Sequence, residues 1–234
     1  MWSGPRNIST AMMRAWESRA DCTVMDEPFY GAYLAATGLA HPMRAEILAA
    51  TETDWAGCAA LCLEPCLAPI QFQKHMCQHM IPEAPRDWMR HCRHAFLIRS
   101  PEEVAASFKR GWPGMGAEDL GFRLQADLFD HVCQMTGQAP PVIEAHDVLA
   151  APETALRALT AALGVAFDPA MLAWPAGSRK SDGVWADHWY AAVRGSTGFA
   201  PPRPPEAAPP ALAGIVAECR PHYAAMAAHK LIFS

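Results

Sequence analysis

An α/β fold built on a central parallel sheet is what this sequence predicts, and three observations carry the prediction. Short apolar or β-branched runs alternate with longer stretches of helical periodicity, the pattern of βαβ units. Charged residues stand just after several of those runs, where a parallel sheet gathers its loops along one rim. A chain of 234 residues that is 51% hydrophobic and 18% charged can bury one core and is not a disordered tail.

The elements follow in order. Met1–Ser3 is a strand stub, and Thr23–Asp26, Pro69–Gln73, Ala95–Ile98 and Pro141–Ala145 read as strands. Helices are predicted over Ser9–Arg19, Pro101–Arg110, Glu118–Thr136, Pro152–Leu163 and Ala211–Ala228. The run Ser100-Pro101-Glu102-Glu103 carries a start signal: an N-cap hydroxyl, a proline in the first turn and two acids at the positive helix end. Between 200 and 210 stand Pro201, Pro202, Pro204, Pro205, Pro209 and Pro210, which exclude regular helix or inner strand. That stretch reads as a stiff surface connector within a single domain spanning 1–234.

Charge and composition exclude several function classes. With 19 Lys+Arg against 24 Asp+Glu the net charge is −5, which excludes a nucleic-acid partner bound through a broad basic surface. No apolar run approaches the ~20 residues that cross a bilayer, and no charged and apolar leader opens the sequence, so the expectation is a cytoplasmic protein with no membrane partner. The eight cysteines are expected to be reduced core thiols. Cys58, Cys62 and Cys66 share a helical face but lack the spacing of a structural zinc site, and no metal is expected.

Ser3-Gly4-Pro5-Arg6-Asn7-Ile8-Ser9-Thr10 joins the strand stub to an apolar-periodic helix. A strand-loop-helix junction aims backbone N–H groups, the positive helix end and the Ser9 and Thr10 hydroxyls at one spot, which suits an anion. The second glycine and the Lys-Ser/Thr of a nucleoside-triphosphate loop are absent, and Arg6 supplies the cation.

Three segments in order resemble the motifs of PAPS-dependent sulfotransferases. Gly4-Pro5-Arg6-Asn7-Ile8-Ser9-Thr10 is similar to that family's 5′-phosphosulfate loop. Ala95-Phe96-Leu97-Ile98-Arg99-Ser100-Pro101, with Ser107 beyond it, is similar to the 3′-phosphate motif. Arg179-Lys180-Ser181-Asp182-Gly183-Val184-Trp185 is similar to the loop that closes over the same phosphate. The resemblance implies a three-layer, P-loop NTPase-like fold. It also implies transfer of a sulfuryl group from PAPS to a hydroxyl or amine of a small-molecule acceptor, with adenosine 3′,5′-bisphosphate as product. It places Arg6, Asn7, Ser9, Thr10, Arg99, Ser107, Arg179, Lys180 and Gly183 on the nucleotide.

By the same resemblance Lys74 contacts the bridging oxygen, and Glu27 is the base that takes the acceptor's proton. His75 competes with Glu27 for that role, although in a strand it turns to the face opposite Lys74. Pro28 is expected to hold Glu27 extended, and Arg6 and Lys74 to lower its pKa unless burial offsets them. Ile8 stands where the family has glycine; a β-branched residue resists positive φ, which predicts a loop of another shape. Trp185, Trp189 and Tyr190 either cover the adenine, line the acceptor site or pack in the core. Gly111–Ala117 and Trp185–Phe199 are expected to border the acceptor. The residues alone also leave open a P-loop-type kinase or nucleotide hydrolase, or a non-catalytic nucleotide-binding module.

Overall fold

The computed structural model describes residues 1–109, 116–202, 204 and 208–233. Five strands, β1 (Trp2–Ser3), β2 (Cys22–Asp26), β3 (Ile70–Met76), β4 (Phe96–Ile98) and β5 (Val142–Glu144), form one parallel sheet in the order β2-β3-β1-β4-β5. The stub β1 is therefore central. Two residues suffice there because both neighbours hold its backbone: Trp2 N donates to the Ala95 carbonyl at 2.9 Å and His75 N donates to the Met1 carbonyl at 2.9 Å.

The helices are α1 (Ser9–Glu17), α2 (Tyr30–Thr37), α3 (Arg44–Ala50), α4 (Trp55–Leu63), α5 (Pro101–Lys109), α6 (Phe122–Thr136), α7 (Ala145–Ala150), α8 (Pro152–Ala162), α9 (Ala186–Trp189), α10 (Ala191–Arg194) and α11 (Ala213–Ala227). None of the described helices is long and apolar enough to cross a membrane.

Period-two alternation along the strands sorts side chains into two cores and so creates three layers. Leu97 and Ile143 point into a core shared with Met12, Met13 and Trp16 of α1 and with Leu156 and Leu159 of α8. Phe96, Ile98 and Val142 point the other way, against Leu128, Phe129 and Val132 of α6 and Met226 of α11. A one-residue slip of β4 would exchange the two sets, so the apolar pattern specifies the register.

Departures from the predicted elements have local causes. β3 runs three residues past Gln73, so Lys74 and His75 lie inside a strand. The helix predicted over Glu118–Thr136 is divided at Gly121, whose φ of 72° separates a 3₁₀ turn at Glu118–Leu120 from α6. Helices α2, α3, α4, α7, α9 and α10 carry weak periodicity and went unpredicted. Cys66 is exposed beyond the end of α4, whereas Cys58 and Cys62 are buried, so the thiols are free but not all in the core.

Gly31 lets α2 approach the end of α3. A Cβ built there collides with Thr51 Oγ1 and stands 2.5 Å from the Glu52 carbonyl oxygen. Gly31→Ala is expected to destabilise the protein by about 1–3 kcal/mol through overpacking; an unchanged urea midpoint would show that the α2–α3 contact yields freely.

Candidate active site

The loop that leaves central β1 lies at the carboxyl ends of the strands, where open α/β sheets bind ligands. A cleft of about 490 Å³ opens there and is lined by Pro5 through Ala11. Four non-glycine residues of the described chain have positive φ, and three of them line this cleft: Arg6 (59°), Ile8 (42°) and Glu27 (45°). Such conformations cost on the order of 1–3 kcal/mol each and collect where function needs them. The expectation that Ile8 avoids positive φ is thus corrected, since the loop takes the left-handed turn without a glycine. So is the extended Glu27, which turns left-handed just before Pro28.

Ile8 is the N-cap of α1, with no side chain capping it and no acid in the first turn. The amides of Ser9, Thr10 and Ala11 face the cleft end of the helix, an anion-attracting arrangement. Asn7 ties the loop to the sheet, its Nδ2 donating to the Leu97 carbonyl at 2.6 Å, while its buried Oδ1 has no hydrogen-bond partner.

Arg6 and Arg99 come together although 93 positions separate them. Arg99 donates to the Arg6 carbonyl at 2.9 Å, and Arg6 Nε donates to Ser107 Oγ at 3.0 Å. Arg99 also pairs with Glu103 at 3.1 Å, in a helix start where the Ser100 hydroxyl donates to Glu103 at 2.9 Å. The first two sequence motifs therefore converge on one end of the cleft.

On the β2–β3 side of the same rim stands a buried ionic group. Asp26 and Lys74 are register partners on β2 and β3, and Lys74 Nζ donates to Asp26 Oδ1 at 2.9 Å, to Tyr190 Oη at 2.7 Å and, through a short contact, to Glu27 Oε1. Lys74 is 2% exposed and Glu27 8%. Burial alone would lower the Lys74 pKa, but the two carboxylates outweigh it and hold the ammonium well above its ordinary value. For Glu27 burial dominates: it pushes the carboxyl above the usual range against the pull of Lys74, and neighbouring Asp26 adds to the rise. Of the two outcomes the sequence left open, burial thus outweighs the flanking cation.

His75 does not reach the cleft. Strand alternation turns it away from Lys74, where its ring stacks on Trp2 with centroids 4.5 Å apart and burial drives its pKa well below 6.5. His79 faces the cleft instead, its Nε2 lying 4.0 Å from Glu27 Oε2 and its ring held between Tyr30 and Tyr33.

Arg179, Lys180 and Gly183 lie outside the cleft lining. Their loop is anchored to the last turn of α1: Arg179 Nε stands 3.6 Å from Glu17, Asp182 accepts from the buried Arg14 guanidinium at 2.5 Å, and Ser181 bonds Glu17. Gly183 N donates to Asp26 at 3.2 Å, so the loop supports the ionic group from behind. Lys180 is exposed. The α1 surface offers this loop a buried arginine to neutralise, which the sequence motif does not reveal.

Sequence reasoning missed Asp26 and Tyr190 as a unit. The Asp26-Glu27-Pro28 run at a strand end signalled the acid, and Tyr190 was a candidate for the adenine or acceptor site, but nothing local pointed to its bonds with Lys74 and Asp26. Trp185 is buried, while Trp189 and Tyr190 line the cleft, as do Ser196, Phe199 and the described prolines Pro201, Pro202 and Pro204 of the connector. Of the expected acceptor border at Gly111–Ala117, residues 111–115 lie outside the described residues, as does Pro205 of the connector. Among the described residues no group of three or more His, Cys, Asp or Glu side chains could hold a metal ion.

Comparison with known proteins bears on the fold and the family. The chain is 33% identical over 230 residues to "Branched-chain-amino-acid aminotransferase-like protein 2" of Arabidopsis thaliana, a match covering 97% of this chain and 41% of that protein. "Branched-chain-amino-acid aminotransferase-like protein 1" of the same plant is 36% identical over 203 residues, covering 86% of this chain and 36% of its own length. The chain thus spans about two fifths of these relatives. The solved "Sulfotransferase Domain from the Curacin Biosynthetic Pathway" shares the fold with a TM-score of 0.57 at 15% identity, over 99% of this chain and 97% of that one. The sequence pattern of the family described as "Sulfotransferase domain" matches residues 1–230, and the chain belongs to that sulfotransferase family.

Proposed function

We propose that the cleft binds PAPS and transfers its sulfuryl group to a hydroxyl or amine of a small-molecule acceptor. The observation that carries this reading is the convergence of Arg6, Arg99 and Ser107 beyond β4, in the lining of a cleft that also holds Glu27 and Lys74 from the β2–β3 side of β1. A doubly phosphorylated nucleoside supplies anions for the first group and the α1 N-terminus. The reacting sulfur then lies toward the second.

The acceptor oxygen or nitrogen attacks sulfur while the bond from sulfur to the 5′-phosphate oxygen breaks. The acceptor's proton passes to Glu27, and the electron pair leaves on the phosphate of adenosine 3′,5′-bisphosphate. The protein's part is to position the partners and to stabilise charge growing on the leaving oxygen. Lys74, Ser9, Thr10 and the loop amides are the donors for that oxygen. The eight free thiols fit a reducing compartment, and a cytoplasmic location belongs to the same proposal.

Equilibrium titration with adenosine 3′,5′-bisphosphate tests the reading, and no binding at millimolar concentration would end it. Arg99→Ala is expected to weaken that binding by about 1.5–3 kcal/mol, the worth of a charge-assisted contact. An unchanged affinity would remove Arg99 from the phosphate. Glu27→Gln is expected to leave nucleotide affinity intact and lower kcat by roughly 10²–10⁴. Because the base must be ionised and burial raises its pKa, wild-type activity is expected to fall on acidification at a pH above the ordinary carboxylate range.

A further inference from the structure

Tyr190 sits where every strand of the buried ionic network crosses, yet the reaction as written assigns it nothing. Resting on the sulfuryl-transfer reading, we propose that Tyr190, acting with Asp26, is a positioning residue that fixes the Lys74 ammonium between the base and the leaving oxygen.

The hydrogen bonds make the case. An ammonium has three protons, and Lys74 commits all three: to Asp26 Oδ1, to Glu27 Oε1 and to Tyr190 Oη. Tyr190 Oη in turn accepts from Trp185 Nε1 at 3.1 Å and donates to the Asp26 carboxylate at 2.8 and 2.9 Å. Asp26 is clamped a second time by the Gly183 amide. Residues 183–190 therefore close on β2 and β3, from the Gly183 amide outside the cleft lining to Tyr190 within it, and orient the Lys74 side chain. The Tyr190 ring also presents its face 5.1 Å from Lys74 Nζ.

This arrangement divides the three Lys74 contacts by what happens to them in turnover. When Glu27 takes the acceptor's proton it loses its charge and its hold on Lys74. Asp26 and Tyr190 keep theirs, so the ammonium stays charged and aimed while the N–H that Glu27 held is freed to hydrogen-bond to the leaving oxygen.

The groups facing Glu27 are Asp26 beside it, Lys74 on β3, Tyr190 between α9 and α10, Tyr30 on α2, and His79 at 4.0 Å, kept neutral by burial. The nearby Tyr190 hydroxyl favours the Glu27 carboxylate, whereas the Asp26 charge disfavours it. Tyr190→Phe and Asp26→Asn should consequently move Glu27 in opposite directions.

The test follows the Glu27 side-chain carboxyl by ¹³C NMR in the full chain without nucleotide, assigned by its loss in Glu27→Gln, and follows the Lys74 Nζ protons by ¹⁵N–¹H NMR. Tyr190→Phe is expected to shift the Glu27 titration to higher pH, Asp26→Asn to lower pH, and either variant to speed Lys74 proton exchange at least tenfold. In turnover, Tyr190→Phe is expected to lower kcat at least tenfold, with affinity for adenosine 3′,5′-bisphosphate within twofold of wild type. A folded Tyr190→Phe with unmoved Glu27 titration and Lys74 exchange overturns the assignment. Should Tyr190→Phe fail to fold, unchanged Lys74 exchange in Asp26→Asn overturns it. Failure of the wild type to bind adenosine 3′,5′-bisphosphate strikes the sulfuryl-transfer reading separately, because both NMR readouts are taken without nucleotide.

Discussion

Lys74→Met is expected to abolish sulfuryl transfer and to cost about 3–5 kcal/mol of folding stability near neutral pH, the range for removing one partner of a buried ion pair. Methionine preserves the alkyl volume, so the loss is electrostatic: Asp26 and Glu27 remain buried beside each other with no cation between them. Two observations by urea unfolding check this origin. Glu27→Gln/Lys74→Met should recover part of the loss, because one unpaired carboxylate is gone, and the double-mutant coupling should be large. A Lys74→Met protein as stable as wild type would show that water or a shifted side chain neutralises the acids, and the ionic group would then lose its claim to be pre-organised.

Acidification is expected to destabilise the protein through its buried histidines. His94 Nδ1 accepts from the Trp2 indole at 3.0 Å and its Nε2–H donates to the Met89 carbonyl at 2.8 Å, so both ring nitrogens are committed in the neutral form. Burial lowers its pKa from 6.5 to about 4. Between those values the unfolded chain binds the proton and the folded chain does not, so stability is full above pH 6.5 and declines as pH falls toward 4. The linkage slope is about 1.4 kcal/mol per pH unit for one group, or roughly 3 kcal/mol across the window for His94 alone.

His75 and His79, whose pKa values burial drives well below 6.5, add in the same direction. Glu27, raised in the folded state, works the other way, but as one group against three. Against a total folding stability of about 5–15 kcal/mol, the His94 contribution alone is a sizeable fraction. Urea midpoints at pH 7 and pH 5 measure the effect, and equal midpoints would contradict it. His94→Gln should flatten the slope by about one proton while the other two histidines keep theirs.

Much of the site was legible because it is built from motifs whose chemistry is local. The loop at Arg6 to Thr10, the strand-end Arg99 and the Glu27–Lys74 pair lie next to apolar runs, so a parallel sheet had to deliver them to one rim. Ser107 followed from the resemblance to the family's 3′-phosphate motif. His75, the competitor to Glu27, faces away from the cleft for an equally local reason: β3 continues past Gln73, and within a strand the residue after Lys74 must face the other way. The weak helices α2, α3 and α4 escaped because their apolar residues lack a single face, and only contact with the two cores holds them.

By itself, then, the sequence pointed to the parallel sheet and to the strand-loop-helix junction at residues 3–10, since apolar runs, helical periodicity and a loop junction act over a few residues. Tertiary structure alone decided the rest. Whether Glu27 titrates high or low depends on burial competing with Lys74 and Asp26. The seat of the loop at residues 179–183 depends on a buried Arg14 that needs Asp182. Tyr190 reaches Lys74 across 116 positions of chain, and no spacing rule spans that distance, because desolvation and long-range charge pairing exist only once the chain has closed around them.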